Sequence, residues 1–223
     1  MPLRYEVSGR PEDATSVDFL CRTDHGKELC IEMRLVQQRQ STTDLFEAQL
    51  RESEYFGTTL DGEGDRAETV RLQRLILEKA VGKSGDLTKF QPVDAGRYNI
   101  VAVEVSELHL GMCDSGDCLL AAYGDPAVSE LERRNLFGLF QQPRPEYPAH
   151  IQEVASLFAP FREAIHAILF LRKSPRMSPI DYRLEYIFVH NPQTMAGAEV
   201  DDIAREFNGA MEVWKSVRPT PEE

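Results

Sequence analysis

Two alternating runs, SVDFLCR (residues 16–22) and ELCIEMRLV (residues 28–36), flank the short segment TDHGK. Alternation with period 2 on both sides of a glycine-containing turn predicts an antiparallel β-hairpin. Two registers compete. A two-residue turn at His25-Gly26 sets Asp18 against Met33 and mixes charge with bulky apolar groups on both faces. A three-residue loop, Asp24-His25-Gly26, with Gly26 in the left-handed conformation open to glycine, separates them. One face then carries Val17, Phe19, Cys21, Leu29, Ile31, Met33 and Leu35. The other carries Asp18, Leu20, Arg22, Glu28, Cys30, Glu32 and Arg34. A slip of one residue would exchange the faces, so the second register is the expected one. It sets Asp18 across from Glu32, with Arg34 further along the same face. Arg22 falls opposite Glu28 as a cross-strand ion pair.

Around the hairpin, the chain reads as alternating strands and helices. Residues 3–7 suggest a first strand. Residues 41–57 open with Ser/Thr/Asp capping chemistry and suggest a short helix, leading into the glycine- and acid-rich GTTLDGEGD. Residues 66–81 form a strong helical pattern, with Leu72, Leu75, Ile76 and Ala80 as its apolar stripe and Gly82 near its end. The continuous apolar run at 98–105 reads as a strand buried on both faces. CLLAAYG (118–124) reads as a second apolar strand, 151–161 as a helix, 166–173 and 184–190 as strands, and 198–214 as a closing amphipathic helix. Interleaved elements predict an α/β protein with a mixed central sheet flanked by helices. Residues 1–107 would form the core, and 108–223 an α/β extension of the same domain.

Composition narrows the function classes. The 223 residues are 42% hydrophobic and 28% charged, which suits one ordinary globular domain. The net charge of −12, from 37 acidic and 25 basic residues, disfavours nucleic acid as a partner, because phosphate binding normally shows a basic stripe. It suits instead a protein partner, a basic one in particular. No apolar run approaches the ~20 residues that span a bilayer. The N-terminal residues lack the pattern of a secretory signal, so the default expectation is a cytoplasmic protein without a membrane partner.

Four cysteines in a chain this long do not make a disulfide scaffold. Cys21 and Cys30 occupy apolar strand positions and read as buried thiols. Cys113 and Cys118 flank the acidic turn CDSGDC, with His109 nearby, but three loosely spaced ligands fall short of a zinc motif. The five histidines are scattered, and no P-loop, dinucleotide fingerprint or nucleophile elbow occurs. Arg66, Arg71, Arg74 and Lys79 share one helix with Glu68 and Glu78, and read as a solvated face of ion pairs. Trp214 and the phenylalanines of LFGLF are expected in the core.

The pattern Asp18, thirteen residues, Glu32-Met33-Arg34 on a hairpin, followed by a helix and a buried strand, resembles the restriction-endonuclease-like (PD-(D/E)XK) nuclease superfamily. The likeness covers roughly residues 3–105. It implies a restriction-endonuclease-like core with a C-terminal elaboration. It also implies magnesium held by Asp18 and Glu32, Arg34 in the position of the family's lysine, and Gln37 or Gln38 as a polar helper. No Asp/Glu-x-Lys triplet occurs in the chain. Arginine stays protonated and cannot help to take a proton from water. The resulting expectation is a metal-dependent nuclease fold with phosphodiesterase activity weakened or lost. The alternative is a non-catalytic acidic adaptor, with the charged hairpin face simply turned to water.

Overall fold

Gly26 takes φ +79°, and its N–H donates to the Thr23 carbonyl at 2.9 Å while Thr23 N–H donates to Lys27 at 2.8 Å. The hairpin therefore closes around Asp24-His25-Gly26 in the three-residue register. The ladder pairs Phe19 with Ile31, Leu20 with Cys30, Cys21 with Leu29 and Arg22 with Glu28. Arg22 and Glu28 form the anticipated ion pair at 3.1 Å. The computed structural model describes residues 3–8, 16–52, 62–90, 93, 96–106, 108, 113–124, 136–178, 181–195, 197–206 and 210–214.

The hairpin strands β2 (Ser16–Arg22) and β3 (Glu28–Leu35) extend an antiparallel meander begun by β1 (Leu3–Ser8). Helices α1 (Gln40–Glu52) and α2 (Gly62–Ala80) follow, and α2 carries the chain across to β4 (Arg97–Glu104), which pairs parallel to β3. A crossover of this kind is what lets consecutive strands lie parallel. Helices α3 (Ser115–Tyr123), α4 (Ala149–Leu157) and α5 (Ala159–Ala164) lead to β5 (Ala167–Ser178), parallel to β4, and β6 (Asp181–His190) returns antiparallel. Helix α6 (Gly197–Glu206) and β7 (Ala210–Trp214), parallel to β6, complete an α/β architecture on one mixed sheet of order β1 to β7.

The two faces of the sheet bury separate cores. Cys30, Val101, Val103, Ile168, Phe170, Ile187 and Val189 meet Leu72 and Ile76 of α2 and Cys118 and Ala121 of α3. On the opposite face, Leu29, Ile31, Ile100, Ala102, Leu169 and Phe188 pack with Val200 and Ile203 of α6. Six of the eight residues of β4 are buried, as its unbroken apolar run anticipates. Phe137 and Phe140 are buried as expected.

Three expectations are corrected. Residues 118–124 are not a strand: Asp114 caps α3 reciprocally with Asp117, and Gly124 (φ +73°) ends it. A short apolar run does not distinguish strand from buried helix, and the cap decides in favour of the helix. The closing segment is not one helix, since it divides into α6 and β7. The charged hairpin face is only partly turned to water: Arg22 stays exposed beside Glu28, but α2 packs on β3 and Glu32 is fully buried. His109 and the side chain of Trp214 lie outside the described residues.

Candidate active site

Asp18 and Glu32 are the next pair in the hairpin register beyond Phe19 and Ile31. Their side chains replace the main-chain ladder there. The Asp18 N–H donates to Glu32 Oε1 at 3.0 Å, and the Met33 N–H donates to Asp18 Oδ2 at 2.8 Å. Each acid thus grips the backbone of the neighbouring strand. This is the juxtaposition the register predicts, with a tighter linkage than facing side chains alone would give.

Two lysines, rather than Arg34, contact the acids. Lys79 Nζ lies 3.0 Å from Asp18 Oδ2 and 3.2 Å from Glu32 Oε2. Lys89 Nζ lies 2.8 Å from Glu32 Oε2 and 3.6 Å from Asp18 Oδ1. Glu32 sits at the bottom with no exposed surface, while the side chains of Lys79, Asp18 and Lys89 are 20%, 27% and 30% exposed. The quartet therefore opens to solvent on one side. Burial of a carboxylate without partners would cost several kcal/mol, and the two ammonium groups offset that cost.

Local sequence explains both cations. Lys79 stands in the last turn of α2, where the unpaired helix carbonyls favour positive charge. It lies seven residues, two turns, after buried Leu72 and so points along the buried stripe. Beyond α2 the chain folds back tightly. Gly82 N–H donates to Asp86, Gly85 takes φ +88°, and Thr88 N–H donates to the Ala80 carbonyl. That turn returns Lys89 to the end of the helix.

Electrostatics follow from the contacts. Burial pushes the Asp18 carboxyl up, but the Met33 amide and the two lysines more than reverse this and hold it below the ordinary carboxylate range. Burial pulls the Lys89 ammonium down, and the hydrogen bond and charge of Glu32, with Asp18, raise it above the usual lysine value.

Other site expectations fare differently. Arg34 is half-buried and its Nε has no hydrogen-bond partner. Gln37 is exposed, and its carbonyl accepts from Arg71 Nη2 at 2.6 Å; Gln38 is half-buried. Arg71–Glu68 and Arg74–Glu78 form the expected helix-surface pairs at 3.0 Å each. Lys79 departs from that face and turns inward. Only its place two turns after Leu72 sets it apart from the surface arginines, and that spacing names no acid partner.

The acid pair suits a hard cation. Carboxylate oxygens from two strands converge on one ammonium, Lys79 Nζ, and magnesium takes one or two carboxylates with waters completing its shell. Among the described residues, no group of three or more His, Cys, Asp or Glu side chains gathers as a metal site. Nor is any described helix long and apolar enough to cross a membrane. Comparison with protein-family models, curated proteins and solved structures finds no match to this chain.

Proposed function

We propose that this chain is a metal-dependent phosphodiesterase of the restriction-endonuclease-like class. Asp18 and Glu32 are its metal-holding acids, and Lys79 and Lys89 replace the lysine of the usual triplet. The observation that carries the reading is the convergence of the two acids on the Lys79 ammonium. Its setting supports it: the hairpin is followed by helices α1 and α2 and then by the buried strand β4, and hairpin, helix and buried strand is the order the resemblance implies.

Magnesium, when bound, would lower the pKa of a coordinated water and steady charge developing on the phosphate. The chain's own residues do the rest. Asp18 and Glu32 hold each other through backbone bonds, which fixes the acids before any cation arrives. Lys79 and Lys89 keep the pair neutral without metal and present two positive groups at the mouth where a phosphate would approach. The two lysines take the cation role that the resemblance gives to Arg34.

The test is cleavage of end-labelled single- and double-stranded DNA and RNA with magnesium or manganese. Wild type should cut at least one of them. Glu32→Gln and Lys79→Met should each lose roughly 10²–10³-fold in rate. Absence of cutting on every substrate, or cutting that survives Glu32→Gln, would overturn the reading. The quartet would then be a structural clamp in a non-catalytic acidic body.

A further inference from the structure

Apart from the quartet, one pair of nucleophilic side chains is set face to face among the described residues. Cys113 Sγ and Cys118 Sγ lie 3.7 Å apart, and both thiols are free and buried. The backbone between them is held by the reciprocal cap of α3. Asp114 N–H donates to Asp117 Oδ2 at 2.9 Å, and Asp117 N–H donates to Asp114 Oδ1 at 3.0 Å. Cys118 sits in the first turn of the helix with no exposed surface, whereas Cys113 precedes the cap and lines a narrow cleft. The cleft measures about 10 Å³ and is bordered by Glu68, Arg71 and Asp117. That is the room of about one water molecule. A peroxide is of that order; a bulky disulfide such as oxidised glutathione is not.

We propose that Cys113 and Cys118 are a peroxide-oxidised dithiol that closes to an intramolecular disulfide. The Cys113 thiol gives up its proton, the thiolate attacks a peroxide oxygen, the O–O bond breaks, and Cys113 becomes a sulfenic acid while the leaving hydroxide takes up that proton and departs as water. The Cys118 sulfur then attacks the Cys113 sulfur. The S–S bond forms, the S–O bond breaks, and the departing hydroxide takes the Cys118 proton as a second water. One peroxide is reduced to two waters and two thiols are oxidised to one disulfide.

The geometry also assigns the order. Cys113 lines the cleft, so peroxide meets it first, while Cys118 has no exposed surface and serves as the resolving group; its hydrogen bond to Cys113 and its burial push the Cys118 thiol up in keeping with that. The other two cysteines are an internal reference. Cys30 packs in the core under α2 and Cys21 in the core under α6, on opposite faces of the sheet, so they cannot pair with each other.

The test treats the folded full chain with hydrogen peroxide, alkylates remaining thiols, and maps peptides by mass. The expected result is loss of two of the four thiols, with the peptide holding residues 113–118 lighter by two hydrogens and restored by dithiothreitol. In Cys118→Ser, a sulfenic acid on Cys113 should be trapped when the peroxide is removed and the protein is then unfolded in dimedone. The proposal is overturned by retention of all four thiols, by a bridge to Cys21 or Cys30 or between molecules, or by further oxidation of Cys113 without a bridge. Should the variant misfold, the wild-type map decides alone.

Discussion

Lys79 Nζ bridges Asp18 Oδ2 and Glu32 Oε2, at 3.0 and 3.2 Å, so one ammonium joins helix α2 to both hairpin strands. Lys89 covers the same acids from the turn that follows. Neither lysine is required for the strands to pair, yet together they neutralise a fully buried glutamate.

Removing the lysines should therefore be non-additive. Lys79→Met or Lys89→Met alone leaves Glu32 one cation, and each should cost about 1.5–3 kcal/mol, the worth of a charged hydrogen bond. The double variant strands the carboxylate and should lose more than the sum of the singles. Urea unfolding of the four proteins checks this. Additive losses would mean that Glu32 finds its neutralisation elsewhere.

The Gly26 turn should be intolerant for a conformational reason only. A Cβ there would meet nothing within 4 Å, but φ is +79°. Gly26→Val should cost about 1–3 kcal/mol by thermal unfolding, and Gly26→Asn distinctly less. Equal losses for the two would point to a different turn geometry.

The quartet should also shape stability against pH. Asp18 is held below its ordinary value, so its contribution is present above the unfolded value of about 3.9 and is lost as pH falls through the lower folded one. Lys89 is held above its ordinary value, so its contribution is present below the unfolded value of about 10.4 and is lost as pH rises through the higher folded one. The stability gap between wild type and Asp18→Asn should be constant near neutrality and close in acid. Urea midpoints from pH 2 to 8 measure it, and a gap unchanged in acid would contradict the assignment.

Much of the hairpin was legible in the sequence because its register is a matter of parity. Only one loop length separates the charged from the apolar set, and Gly26 permits it. The apolar run of β4 was legible for a similar reason, since no amphipathic alternative competes. The helix at CLLAAYG was not, because a short apolar run fits either structure and the decision rests on the capping of Asp114 by Asp117. The two lysines were hidden differently. Lys79 shares its helix with arginines that do pair on the surface, and Lys89 depends on a turn closed by Gly82, Gly85 and Thr88. No spacing rule links residues 18, 32, 79 and 89 before the chain is folded.

On the proposed function, the acid pair accepts a divalent cation in place of an ammonium. Calorimetric titration of the full chain with manganese, beside Glu32→Gln, tests it most directly. Wild type should take up manganese saturably, and the variant should lose that uptake. Absence of uptake by wild type, or undiminished uptake by Glu32→Gln, would contradict it.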